Sequence, residues 1–391
     1  HPRVRRQRQM CIRDRYNIHR GDTMKIVGVI VEYNPLHNGH IHHMQEVKRL
    51  SGADVILAVL SSTFTMRGDL SLFDKFTKTK HCLWNGIDVI IELPMVLAMH
   101  KADIFAKNAV ALLQLMGANE IWIGSETNDS SLYEKCYEAL QEKDSYIAEE
   151  LKKGKSYKEI TGQLYPLSSN DLLGYAYYKA IRDNRLPIKL KTIPRIHSDY
   201  LDTAPKDSHI ASALAIRSDL RLIRQYTPEF IHSDLPAMLK EEELFPYIKY
   251  KILSTPTAEL KKIFFVDEGL ENSLKEIAGF TSYPEFIKHL TTKRYTSTRI
   301  KRMLVYIFCN IQKEEMNTIF STPVDFVRIL GYSSKGREYL SSRKKEITIY
   351  TNIREGLTPA LDMEIRISKL IDSIFHTHLL QQEQKGPVFK E

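Results

Sequence analysis

Cysteine is scarce in this chain. Four occur in 391 residues, at positions 11, 82, 136 and 309, with no paired or metal-ligand spacing. That argues against a disulfide framework and for reduced thiols in a cytoplasmic setting. Long apolar runs are missing too. None approaches the roughly 18 residues that cross a bilayer, so no membrane partner is expected. Lysine and glutamate are absent from residues 1–23, which carry seven arginines against two aspartates and so supply five of the eight net positive charges. This segment also lacks the apolar core of a signal peptide. Met24 is expected to be the natural start, with residues 1–23 a non-native basic extension. The alternative is a native disordered basic arm that touches nucleic acid. In either case the rest of the chain is only weakly basic, so local clusters must carry any case for an anionic partner.

The composition that remains, 43% hydrophobic and 27% charged, is that of a globular protein with ample core and room for two domains. Apolar runs at Lys25–Val31, Asp54–Leu60, Asp88–Pro94 and Asn119–Gly124 read as strands. Helix-compatible stretches at Asn38–Leu50, about 72–86 and Ala102–Met116 separate them. This alternation predicts an α/β fold with a parallel sheet, and ligands in such sheets sit beyond the strand C-termini. His37, Ser61, Pro94 and Gly124 all fall there. A charged helix is expected over Ser130–Lys153, another over Asn170–Asp183, a short strand at Lys189–Ile193, and a helix over Asp207–Gln225. Beyond about Thr227 helical patterns dominate, and residues from about Gln381 read as a frayed tail. The expected division is a catalytic nucleotide-binding domain over 24–230, a helical domain over 231–380 and a flexible tail over 381–391.

The most informative stretch is Ile30-Val31-Glu32-Tyr33-Asn34-Pro35-Leu36-His37-Asn38-Gly39-His40-Ile41-His42-His43. It runs from strand through a tight loop into a helix, and it delivers His37 and His40 to the helix start. Free N–H groups and a partial positive charge there favour phosphate. The histidines add hydrogen-bond donors for a phosphate whose charge changes during reaction. Four nearby histidines make a metal site conceivable, but no cysteine or paired carboxylates join them, so no metal is expected. His42 and His43 read as surface or packing residues. Further groups follow other strand ends. The Ser61–Asp69 loop offers hydroxyls, Arg67 and Gly68. Lys75 is either a ligand for phosphate or carboxylate, or a surface lysine. Gly124 lets a flat ring approach the backbone. Asn170 is a site residue or a helix cap. Arg195 can fork onto a phosphate or pair with a surface carboxylate. Ser212 to Arg217 offers a second phosphate site or a small packing face.

Together these residues carry a resemblance. His37-Asn38-Gly39-His40 resembles the H-x-G-H signature of the nucleotidyltransferase superfamily related to class I aminoacyl-tRNA synthetases, and Ser212–Arg217 looks like its second motif. Within that superfamily, the loop from Val31 to His40, the Arg67-Gly68-Asp69 stretch, Ile91-Glu92-Leu93-Pro94, Gly124-Ser125-Glu126 and Leu330-Gly331-Tyr332-Ser333-Ser334-Lys335-Gly336-Arg337 resemble the bacterial tRNA(Met) cytidine acetate ligase family. The likeness runs from Met24 to about Leu380. It implies a Rossmann-like catalytic domain. It also implies that ATP and acetate form acetyl-adenylate, and that the acetyl group passes to N4 of the wobble cytidine of elongator tRNA(Met). On this sequence Ile30 to His43 would line the ATP site, with His37 and His40 stabilising the phosphate transition state and Gly124, Asn170, Arg195, Ser212 and Arg217 completing it. Mg2+ is expected with ATP, without evident protein ligands. Leu214 stands where the family pattern has threonine, which removes one hydroxyl near the phosphates.

Two basic groups suit tRNA. Lys293, Arg294, Arg299, Lys301 and Arg302 surround Tyr295; Lys335 and Arg337 precede Arg343-Lys344-Lys345. Cations with an aromatic fit phosphate contact and base stacking. Solvated helix faces are the plain alternative. Two other functions are open: an adenylyltransferase for a small cofactor precursor, which would leave the helical half unused, and a catalytically silent RNA-binding protein, against which the intact His37 and His40 argue.

Overall fold

The apolar runs pair because each buries its side chains on both faces once helices cover the sheet. In the computed structural model, which describes residues 24–153, 160, 162, 167–195, 207–267 and 269–391, the strands are β1 (Ile26–Val31), β2 (Val55–Ser61), β3 (Val89–Leu93), β4 (Glu120–Ser125) and β5 (Lys189–Pro194). The basic segment expected at residues 1–23 lies outside the described residues. Every residue of β2 and β3 is buried. The five strands run parallel in the order β5-β4-β1-β2-β3. The connecting helices include α1 (Asn38–Ser51), α2 (Lys75–Trp84), α3 (Ala102–Leu115) and α4 (Ser169–Asp183). Asp74 starts α2 by accepting the Phe76 and Thr77 N–H groups at 2.8 and 3.1 Å. From β1 the chain steps to β2 and β3 on one side, then returns to β4 and β5 on the other. A crevice therefore opens beyond the carboxyl ends of β1 and β4.

Two expectations change and one is filled in. The helix over Asp207–Gln225 is broken. Only Ala213–Ser218 (α5) and Ile223–Tyr226 are α-helical, because Asp219 turns extended and its carboxylate caps the next turn at Arg221. The second half is mostly helical, as expected, and adds a strand: Phe326–Ser333 forms β6, antiparallel to β3. Its run, buried from Phe326 to Gly331 with Arg328 inside it, is too short to show a strand period. The tail is ordered, with a helix over Leu379–Lys385 and β8 (Val388–Lys390) pairing with β6; a short β7 (Thr348–Tyr350) also joins. The helices between, including α6 (Ser297–Phe308), share one core with the sheet, and Tyr306 Oη donates to the Met99 carbonyl at 2.7 Å.

A buried charge cluster fastens the C-terminal segment to the sheet. Lys75 Nζ lies 2.5 Å from Glu92 and 2.9 Å from Glu364, contacts Glu383, and is wholly buried. Arg328 joins through Glu383 at 3.2 Å. Of the alternatives for Lys75, the structure bears out the carboxylate partner, supplied by the protein itself, and excludes a surface lysine. Burial pushes the Glu92 carboxyl up to about 8, against the pull of Lys75.

Candidate active site

The loop after β1 places its groups by local chemistry. Asn34 cross-links it to the loop after β2, accepting Leu72 N–H at 2.8 Å and donating to Leu70 O at 3.3 Å. His37 is the extended N-cap of α1, and its N–H donates to His40 Nδ1 at 3.3 Å. The two imidazoles stack with centroids 3.7 Å apart, and Tyr33 leans on His40 at 4.6 Å. Burial and the guanidiniums of Arg195 and Arg217 hold His37 down at about 3. Burial and His37 lower His40 well below its ordinary value, and burial with Arg195 lowers His43 to about 4. All three rings are neutral at pH 7. A neutral imidazole donates one hydrogen bond, so each ring can offer a donor to an anionic group without carrying charge in its absence. Among the described residues, His37 Nδ1 and His43 Nε2 are buried without a hydrogen-bond partner.

These rings face a cavity of about 220 Å³ at the switch point. Of the expected nucleotide residues, Ile30, Val31, Glu32, Tyr33, Asn34, His37, Gly39, His40, His42, His43, Gly124, Asn170, Arg195, Ser212 and Arg217 line it. His42 and His43 therefore belong to the cavity wall, not to the outer surface. Pro35, Leu36, Asn38 and Ile41 do not line it. Leu36 is core, and Asn38 Nδ2 donates to the His209 carbonyl at 2.9 Å. A side chain at Gly124 would sit 3.4 Å from Arg195 and 3.9 Å from His43, within the space a flat ring would need. Asn170 Nδ2 donates to Glu126 Oε1 at 3.0 Å, and Arg195 Nε lies 3.7 Å from the same oxygen. Arg217 Nη1 donates to the Asn34 carbonyl at 2.6 Å, tying the second motif to the first loop. Ser212 Oγ caps α5 by accepting Ala215 N–H at 2.9 Å. That helix has only six residues, so side chains rather than a helix terminus supply its charge.

Tyr177 also lines the cavity, with no warning from the sequence reading. It follows Asn170 and Leu173 at helical spacing on α4, and that one-face pattern was the available signal. Asp171 organises the turn behind them, accepting from Tyr133 Oη at 2.8 Å, Ser168 Oγ at 2.7 Å and Thr127 N–H at 3.1 Å.

The two basic groups occupy different places. Lys293 and Arg294 are exposed beside the N-terminus of α6. Arg299 is half-buried, its Cζ 4.9 Å from the Tyr295 ring and 5.7 Å from that of Phe265. Arg302 is only 8% exposed, with Nε donating to Met66 O at 2.8 Å. It is a strut under the loop after β2, not a surface cation; a cation-rich sequence does not reveal which face of α6 is buried. Lys335 and Arg337 are exposed on the helix after β6, next to Asp88 at the start of β3 and Phe389. They stand at the opposite end of the sheet from His37.

Among the described residues no helix is long and apolar enough to cross a membrane. Residues 24–386 match the HIGH Nucleotidyl Transferase family. The tRNA(Met) cytidine acetate ligase of Geobacillus sp. (strain WCH70) is 37% identical, covering 93% of this chain and 99% of its own. That of Bacillus subtilis (strain 168) is 35% identical over 89% of this chain and 92% of its own. The crystal structure of Thermotoga maritima TmcAL bound with alpha-thio ATP superposes with a TM-score of 0.81 at 27% identity, covering 94% of this chain and 99% of that one. This chain belongs to the HIGH nucleotidyl transferase family and, within it, to the tRNA(Met) cytidine acetate ligases.

Proposed function

We propose that this protein is an ATP-dependent ligase that activates acetate as acetyl-adenylate and transfers the acetyl group to N4 of the wobble cytidine of elongator tRNA(Met). The observation that carries the reading is the neutral His37–His40 stack at the switch-point cavity, faced by Arg195 and Arg217. Acetate is already ionised at pH 7, so its attack on the α-phosphate needs no strong base. What the site must supply is position and charge stabilisation. The two imidazoles donate to the phosphate oxygens as charge shifts onto them. Arg195 and Arg217 offset the charge of the departing pyrophosphate. Gly124 and Asn170 seat the nucleoside. Family membership and the ATP-analogue complex of the Thermotoga protein support ATP as the substrate.

Mg2+ accompanies ATP in this reading. The cavity's carboxylates Glu32 and Asp69 are engaged, by Met66 N–H and by Lys301 respectively, so the ion would ride on phosphate oxygens and water. The three clustered carboxylates Glu92, Glu364 and Glu383 enclose Lys75 instead. For tRNA, the exposed Lys293 and Arg294 beside the N-terminus of α6 are the proposed first contacts, with Arg299 behind them. Lys335 and Arg337 would reach a distant part of the same RNA. Helices between 231 and 325 form the proposed RNA-facing unit, and the cytoplasm, where tRNA resides, is the proposed setting.

The test is ATP–pyrophosphate exchange with and without acetate, followed by acetate incorporation into elongator tRNA(Met). Acetate-dependent exchange lost in His40→Ala supports the reading. No exchange in folded wild-type protein, with tRNA present, sinks it.

A further inference from the structure

A second cavity of about 340 Å³ adjoins the switch-point cavity across the loop after β2, and Arg67, Asp69, Leu214 and Arg217 line both. The second cavity is lined on its far side by Glu241, Lys301 and Thr298. Its volume is in the range of small-molecule sites and far exceeds what acetate needs.

Resting on the ligase reading above, we propose that this second cavity receives the acceptor cytosine, turned out of its loop, and that Asp69 accepts the N4 proton as the amine attacks. Three features converge. Chemistry on a base requires it to leave the stack, and an unpaired loop nucleotide does so at low cost. Cytosine presents an amine donor beside two acceptors, and a carboxylate is the natural partner for that amine. Asp69 is the carboxylate on both walls, so an amine bonded to it lies at the junction facing the nucleotide. Arg217 and Lys301 offer donors for the ring's acceptors.

Asp69 is held for this role. Its backbone pairs with Thr65 at both ends, N–H to Oγ1 at 3.2 Å and carbonyl from Thr65 N–H at 2.9 Å. Lys301 Nζ bonds its Oδ1. Glu241 fixes the next residue by accepting Leu70 N–H at 2.9 Å. Gly68 makes the turn at φ +86, where a Cβ would strike the Arg302 backbone nitrogen at 2.8 Å. Burial, with the Asp69 carboxylate adding to it, raises Glu241 to about 7, so a second proton acceptor stands nearby.

In the step itself the N4 lone pair forms a C–N bond to the acetyl carbonyl carbon. The bond from that carbon to the anhydride oxygen it shares with the α-phosphate breaks, and AMP leaves with the electron pair. The surplus N4 proton passes to Asp69 and then to water. No other reactant is required.

The experiment measures both half-reactions on the full chain: acetate-dependent ATP–pyrophosphate exchange and acetyl transfer to elongator tRNA(Met). Asp69→Asn is expected to lower the ratio of transfer to exchange by about 100-fold, the lower range for a lost general base. Thr298→Trp, which fills the second cavity and leaves Asp69 in place, is expected to lower the same ratio and raise KM for tRNA; it serves also if Asp69→Asn fails to fold. Equal losses in both half-reactions, or a wild-type ratio in both variants, overturn the inference while leaving the ligase reading intact. Absence of exchange in the wild type defeats that reading and this inference with it.

Discussion

The depressed histidines make the free enzyme sensitive to acid in a way that can be assigned to one residue. His37 is held at about 3 by burial and by two neighbouring guanidiniums, against 6.5 for a free imidazole. The unfolded chain therefore takes up a proton below pH 6.5 that the folded chain refuses until about pH 3. Stability rises with pH wherever the unfolded state binds more protons, so this residue costs nothing above pH 6.5 and progressively more below it. At pH 5, one and a half pH units below the ordinary value, the cost is about 2 kcal/mol at 1.36 kcal/mol per unit. His37→Asn keeps a polar side chain of similar reach and removes the titration. Urea unfolding, followed by tryptophan fluorescence at pH 7 and pH 5 without nucleotide, reads the effect. Wild type should lose about 2 kcal/mol more than His37→Asn between those values. Coincident pH dependences would falsify the claim that His37 is buried neutral beside two cations. His43, lowered to about 4 mainly by burial, should give a similar difference in His43→Asn.

Other consequences follow from particular contacts. His40→Ala should reduce acetate-dependent pyrophosphate exchange by about 10²–10³, the usual effect of losing one positioned donor; an unaffected rate would exclude His40 from the phosphate site. Lys293→Glu with Arg294→Glu should spare exchange, cut tRNA acetylation and flatten its salt dependence, whereas Arg302→Glu, which buries a charge under the loop after β2, should impair both half-reactions; filter binding over a salt series separates the cases. Lys75→Met should destabilise the fold by about 3–5 kcal/mol, because it strands carboxylates at zero exposure, and a chemical melt unchanged from wild type would refute the cluster's role.

Much of the catalytic half was legible because its signals are local. β-Branched runs, the Asn-Pro turn and the His37-to-His40 spacing act within a few residues, and strand alternation then dictates where a ligand sits. The cavity collects fifteen of the residues singled out for ATP. What stayed hidden concerns long-range partners. Lys75 and Arg302 are as cationic in sequence as any surface residue. Lys75 meets carboxylates, one of its expected partners, but from residues 364 and 383, and Arg302, expected at the surface, meets a carbonyl at 66. Phe326–Ser333 sets Arg328 among apolar residues without a period, so only its partner β3 decides that it is a strand.

The sequence by itself therefore determined the class of sheet, the loop that lines the cavity, and the residues presented at the strand ends, because backbone propensity and side-chain chemistry act at short range. Tertiary structure alone decided which cations face solvent, which carboxylates share a lysine, and that the loop after β2 is the wall between two cavities. Those outcomes depend on burial and on pairings across hundreds of residues, and no stretch of chain carries that information on its own.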